Sequence, residues 1–204
     1  MKKVSQKKVT TIRNKPSRKQ AEEAVKILIK WAGDNPEREG LLETPKRVVN
    51  SYKEFFSGYD SKPEQILSKT FDEVEGYDEM VIVRDIAIES HCEHHMVPFI
   101  GIAHIGYIPN KRIVGISKLA RIADVFAKRL QTQEIMTAQI ADTINEVLKP
   151  KGVAVVIDAQ HQCMTTRGTH KTESSTITSR MLGLFRTNSN TRNEFMNLIN
   201  SVNS

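Results

Sequence analysis

Met80 Val81 Ile82 Val83 Arg84 Asp85 Ile86 Ala87 Ile88 runs into Ser90 His91 Cys92 Glu93 His94 His95, and the fold is read outward from this junction. The first segment is apolar and rich in β-branched residues, so it is predicted to form a strand. The second holds one of the two cysteines of the chain and three of its six histidines. Cys92 and His95 have the C-x-x-H spacing at which a thiolate and an imidazole reach one metal ion from a single turn of chain. The other cysteine, Cys163, follows a second apolar run as His161 Gln162 Cys163. Two strand ends can therefore bring together a Cys, His, Cys set. Three protein ligands leave the fourth position of a tetrahedral zinc open, as in catalytic sites, whereas a structural zinc is normally closed by four.

The competing reading makes Cys92 and Cys163 ordinary buried thiols or a disulfide, with the histidines satisfying local hydrogen bonds. Core burial does not explain three histidines beside one cysteine. The sequence also starts Met1 Lys2 Lys3 Val4 Ser5 Gln6 with no apolar segment behind the charge, which argues against export and so against a stable disulfide. The expected ion is zinc, because two thiolates and an imidazole suit it and magnesium prefers oxygen. The expected location is cytoplasmic.

The net charge of +6 invites a nucleic-acid reading until it is divided along the chain. Eight of the 30 bases precede the first acid, Glu22, which leaves 22 bases against 24 acids. The excess belongs to residues 1–18, a basic tail expected to be disordered for want of apolar side chains. Neither a nucleic-acid partner nor a membrane partner is expected, since no apolar run approaches the ~20 residues of a membrane helix.

From Ser17, a candidate N-cap, Ala21, Ala24, Val25, Leu28, Ile29 and Ala32 recur at helical spacing up to Gly33, with Trp31 expected as a packing anchor. Thr44 and Pro45 open a second predicted helix, capped by Thr44. After the Met80 strand, Phe99–Ile108 is its expected antiparallel partner. Helices are predicted from Ser117, as N-cap, to about Leu130, and from near Gln133 to just before Pro150. Val153–Ala159 is read as a strand, Thr172–Ser179 as another, and Asn190–Ile199 as a closing helix. No internal boundary is evident, so residues 19–204 read as one domain with a helical part over about 19–60. The order of elements indicates an α+β fold, an antiparallel sheet with helices on one face.

Cys92 Glu93 His94 His95, Ser117 Lys118 Leu119 Ala120 Arg121, Gln131 Thr132 Gln133 Glu134, and His161 Gln162 Cys163 with Arg167 Gly168 together resemble the GTP cyclohydrolase I family in order and spacing. The likeness extends from about Ala21 to the C-terminus, and Arg38–Arg47 resembles the family's N-terminal region. The resemblance implies a tunnelling fold whose sheets join side by side into a barrel-like homo-oligomer, a decamer. It also implies zinc-dependent conversion of GTP to 7,8-dihydroneopterin triphosphate and formate, the first step of tetrahydrofolate and pterin synthesis.

Cys92, His95 and Cys163 are then the zinc ligands, and His161 and His94 the acid and base residues. His161 precedes a ligand by two residues and titrates near neutrality, and by resemblance His94 lies near the ribose and phosphates. Glu134 alone reads as a solvated carboxylate in a first helical turn. The resemblance makes it the partner of guanine, whose N1 proton and 2-amino group are two donors facing one way. Lys118, Arg121, Arg167 and Arg47 are ordinary surface bases taken singly. The resemblance assigns them, with Ser117 and Gln133, to substrate binding, and a helix N-terminus beside Lys118 and Arg121 favours anions. Ile135 and Met136 depart from the family pattern in a way that points to altered packing. His91 is discounted as a ligand, since neighbours in an extended chain face opposite sides.

Two other functions fit parts of the pattern. A zinc-stabilised nucleotide- or RNA-holding module would need a closed metal site. Another tunnelling-fold enzyme acting on a purine or pterin through a cysteine nucleophile would lack the Cys92 to His95 tetrad.

Overall fold

The computed structural model describes residues 14–68, 70–71 and 76–201, so most of the expected basic tail lies outside the described residues. Its contacts divide the chain between Ser57 and Gly58 into two compact units.

In the N-terminal unit, α1 spans Arg18–Trp31. Ser17 caps it in a reciprocal box: its hydroxyl accepts from the Gln20 amide at 3.3 Å, and the Gln20 side chain accepts from the Ser17 amide at 2.9 Å. The helix thus starts inside the span expected as tail. Gly33, at φ +94°, ends it in a conformation that costs glycine little. Trp31 is not a packing anchor: it is 88% exposed, and α1 has no buried residue. Helix α2 spans Thr44–Phe55, and its N-cap is Glu43, not Thr44. Glu43 has helical dihedrals and makes no side-chain cap, because the short turn at Glu39–Leu41 already leads into the helix.

The C-terminal unit is built on a five-stranded sheet. Its strands are β2 (Val81–Cys92), β3 (Pro98–Ile108), β5 (Leu130–Gln131), β6 (Gly152–His161) and β7 (Thr176–Gly183), in the order β5-β2-β3-β6-β7. The four long strands pair antiparallel, with Gly101 opposite Ala159 and Phe99 opposite His161. A separate two-stranded ladder joins β1 (Thr70–Phe71) to β4 (Ile113–Val114). The helices are α3 (Pro63–Leu67), α4 (Ile116–Ala127), α5 (Gln133–Leu148), α6 (Gln162–Thr165), α7 (Leu184–Thr187) and α8 (Ser189–Asn200).

Two expectations about α4 are corrected. Gly115 is its N-cap, and Ser117 lies inside the first turn without capping. The helix also stops at Ala127, short of Leu130, because Arg129 turns inward. Its Nε donates to the Gly58 carbonyl at 3.0 Å, and its guanidinium lies 5.0 Å from the Phe126 ring centroid. Leu130 and Gln131 are then extended, pairing in parallel with His91 and Cys92. Helix α5 begins where expected: Thr132 caps it by accepting from the Ile135 amide at 3.3 Å.

Helices cover both faces of the sheet, not one. Val153, Val155 and Ile157 of β6 face α4 and α5, with Leu119, Ile122 and Ile140 in the same core. Ala154 and Val156 face the other way, onto Phe185, Phe195 and Ile199 of α7 and α8. A strand buried on both faces reads as a continuous apolar run, which is how Val153–Ile157 reads.

At Gly101 the β3 and β6 backbones come so close that an added Cβ would collide with the Asp158 carbonyl and lie 2.5 Å from the Ala159 Cα. Gly101→Ala is therefore expected to destabilise the protein by about 1–3 kcal/mol, the usual cost of overpacking. A thermal melt should fall by several degrees, at roughly 2–4 °C per kcal/mol. An unchanged melt would mean the two strands have room to part.

Candidate metal centre and substrate site

Cys92 ends β2 and starts a tight turn. Its amide donates to the Val97 carbonyl at 2.9 Å, and its own carbonyl accepts from Met96 at 2.8 Å and His95 at 3.3 Å. The edge strand β5 pins this turn, since the Glu93 amide donates to the Gln131 carbonyl at 2.9 Å. Met96 closes it at φ +55°. The result swings both following imidazoles back toward the thiol. His94 Nδ1 lies 3.8 Å from Cys92 Sγ, and His95 Nδ1 lies 4.0 Å from it.

Cys163 arrives from β6 on the short helix α6, and ligand atoms of Cys92, His95 and Cys163 all lie within 4.8 Å of one another. Zinc–sulfur bonds of ~2.3 Å and zinc–nitrogen bonds of ~2.0 Å in a tetrahedron put ligand atoms about 3.5–3.8 Å apart, so the set needs only a small contraction to hold such an ion. Both cysteines are free thiols, which removes the disulfide alternative. Burial raises the Cys163 thiol above its ordinary range, and the neighbouring Cys92 raises it further. Two thiolates that repel each other at this distance favour a cation between them. The donor set fits a thiophilic metal.

Arg167 places Nη1 2.9 Å from His95 Nε2, so a guanidinium abuts the cluster. His161 lies two residues before Cys163 and stacks on Phe99, with centroids 4.6 Å apart and planes 10° from parallel. Its Nε2 is 2.8 Å from Gln133 Oε1. Burial lowers the His161 pKa, and the charge of Glu134 opposes that shift, which places the exposed Glu134 carboxylate in the same electrostatic neighbourhood.

The structure thus brings together Cys92, His94, His95, Cys163 and Arg167, and beside them His161, Gln133 and Glu134. Ser117, Lys118 and Arg121 occupy the first two turns of α4, and none of the three bonds to the cluster among the described residues. Arg47 is exposed on α2 of the N-terminal unit. Gln133 faces inward. It is 1% exposed, and its amide nitrogen donates into the sheet, at 3.0 Å to the Ile157 carbonyl and 2.7 Å to the Thr176 carbonyl. Phe99 as the platform under His161 and Arg167 as the neighbour of His95 were not foreseen. Alternation along β3 could have suggested Phe99, while the contact of Arg167 with His95 joins residues 72 positions apart and has no local signal. His91 is outside the cluster, as strand alternation requires.

An α+β enzyme is defined here, one whose sheet ends carry a three-ligand cluster able to hold a metal beside a histidine and a carboxylate. The chain belongs to the GTP cyclohydrolase I family, whose model matches residues 21–200, and it is a hydrolase of that kind. Proteins named GTP cyclohydrolase 1 are similar over most of their length. The one from Maricaulis maris is 57% identical over 188 residues, 92% of each chain. That from Hyphomonas neptunium is 58% identical, covering 90% of this chain and 89% of its own. That from Brucella suis is 56% identical, covering 96% of this chain and 92% of its own.

Proposed function

We propose that this chain is a zinc-dependent enzyme that converts GTP and water to formate and 7,8-dihydroneopterin triphosphate, opening tetrahydrofolate and pterin synthesis. The observation that carries the proposal is the convergence of Cys92, His95 and Cys163 within 4.8 Å, with His161 two residues before the last of them. Cys92, His95 and Cys163 hold the ion. Bound there, zinc supplies a Lewis acid that makes water nucleophilic near neutral pH.

The other residues bind, orient and move protons. Glu134 accepts from guanine N1–H and the 2-amino group, a pattern only a guanine-type base presents. His161 carries a proton to the imidazole nitrogen of the purine as that ring opens, and His94 serves at the ribose and phosphate side. Formate leaves, and the opened ribose rearranges and recloses on the two amines to form the pterin. Ser117, Lys118, Arg121 and Arg167 bind the ribose and triphosphate, which orient the purine without being cleaved. Arg47 is assigned to phosphate by the family pattern alone. Gln133, which the family pattern groups with these residues, forms the wall behind His161.

Family resemblance also supports a tunnelling-fold, barrel-like homodecamer in the cytoplasm and a single catalytic domain over residues 19–204, and the charge distribution supports a basic tail over 1–18. The test is to incubate the purified, zinc-loaded full chain with GTP, measuring formate and the fluorescence of the oxidised pterin. Stoichiometric appearance of both is expected. GTP bound without formate would replace the enzyme by a nucleotide-holding protein.

A further inference from the structure

The buried amide of Gln133 joins His161 to the sheet through hydrogen bonds whose directions are all determined. Its Nε2 faces the Ile157 carbonyl at 3.0 Å and the Thr176 carbonyl at 2.7 Å, and carbonyl oxygens only accept. The atom between them is therefore the NH2 group. A second chain of bonds agrees. Thr137 Oγ1 donates its single proton to the Gln133 carbonyl at 2.7 Å, so in its 2.7 Å contact with Thr178 it must accept. The Thr178 proton is thereby used, and at 3.1 Å from Gln133 Nε2 its oxygen accepts. Both arguments leave Oε1 of Gln133 toward His161 Nε2, at 2.8 Å. An amide oxygen has no proton to give, so the imidazole nitrogen facing it carries one.

We infer that Gln133 is a positioning residue that holds His161 as the Nε2–H tautomer and so makes Nδ1 the nitrogen that exchanges protons with the substrate. Phe99 fixes the plane of the ring by stacking, and Gln133 fixes its rotation within that plane. Neither touches the reacting atoms. Gln133 is 1% exposed and its polar atoms are already engaged, which sets it apart from Glu134, the next residue and an exposed one. Two adjacent residues in one helical turn thus divide the work, one turned into the sheet to orient the proton carrier and the other turned out toward the base.

The inference rests on His161 being the proton carrier, and its test separates the two ideas. Histidine-labelled, zinc-loaded protein is studied by solid-state nitrogen NMR at about pH 8, where an imidazole of ordinary pKa is neutral, and the His161 signals are assigned by their loss in His161→Asn. A protonated Nε2 and an unprotonated Nδ1 are expected in the wild type. In Gln133→Met the ring loses its fixed acceptor, and the Nδ1–H form should appear beside the other. Formate release should show kcat lower by roughly 10-fold to 100-fold, a part of the about 100-fold to 10,000-fold that general acid–base catalysis contributes, with KM for GTP unchanged.

A wild-type ring protonated at Nδ1 would overturn the inference, and that measurement needs no variant to fold. So would a single unchanged tautomer in Gln133→Met, or a raised KM at unchanged kcat, which would make Gln133 a direct substrate contact. A tautomer that shifts while turnover stays normal would uphold the positioning and remove His161 from proton transfer.

Discussion

Cys163→Ser is expected to lose its metal and its GTP-converting activity together. Among the described residues three ligand atoms converge, and a serine hydroxyl, protonated at neutral pH, is a poor substitute for a thiolate on zinc. Losing even an outer-shell partner costs 10–100-fold in metal affinity or activity, so losing a ligand should cost more than ~100-fold in affinity. Formate release should fall to background. Cys92→Ser and His95→Ala should behave alike, but Cys163 gives the cleaner experiment. Cys92 is 5% exposed and sits in the main core, so a hydroxyl there would also burden folding. Cys163 is only half-buried, on the four-residue helix α6, and packs against the margin of that core. The measurements are zinc per chain by mass spectrometry, circular dichroism for the fold, and formate release. A folded Cys163→Ser protein with full zinc occupancy would end the ligand assignment.

The parts of this site that the sequence shows are those fixed by local geometry. Cys92 and His95 lie on one turn, and a tight turn after a strand can return both side chains to one point whatever the rest of the fold does. Cys163 was readable as a partner only because it follows a second apolar run, and the register that aligns β6 with β3 brings the two runs to the same end. Thr132 announces α5 by a side chain that caps its own helix, so that boundary also survives. The misreadings share the opposite cause. Helix α4 ends early because Arg129 is drawn to the Gly58 carbonyl, 71 positions away in sequence, and no periodicity within α4 carries that information. The second helical layer is visible only as the two-faced burial of β6, a pattern that a buried strand under one layer can imitate. Gln133 shows the limit most clearly. The resemblance groups it with the substrate-binding residues, and only its partners on β6 and β7 show that its amide bonds to the sheet and to His161. Trp31 erred in the other direction, since a lone tryptophan at an apolar helix position carries no statement of what covers it.

Substrate choice is expected to fail in a specific way in Glu134→Gln. Glu134 lies in the first turn of α5, exposed, with Thr132 supplying the helix cap, so the substitution removes no structural bond of the helix start. If both carboxylate oxygens accept from guanine, one from N1–H and one from the 2-amino group, the glutamine retains the shape but presents an NH2 where one acceptor stood. One hydrogen bond is lost, and two donors then face each other. Leaving a polar group unpaired costs about 1–3 kcal/mol, and more where a charge took part, so GTP affinity should fall roughly tenfold to more than a hundredfold. The zinc content should stay at the wild-type value, which separates this loss from that of Cys163→Ser. The wild type should discriminate by the same chemistry. Adenine N1 is an acceptor and its C2 bears no amine, so ATP sets a lone pair against the carboxylate and should be rejected strongly, as sites built around substrate donors do. ITP keeps the N1 proton and lacks the 2-amino group, so it should bind between the two. The measurement is competition of ATP and ITP against GTP in both proteins, with formate release as a second readout. In Glu134→Gln the gap between GTP and ITP should narrow, because the group that recognises the amine is the one removed. Equal affinity of the wild type for all three nucleotides would take Glu134 out of the purine site.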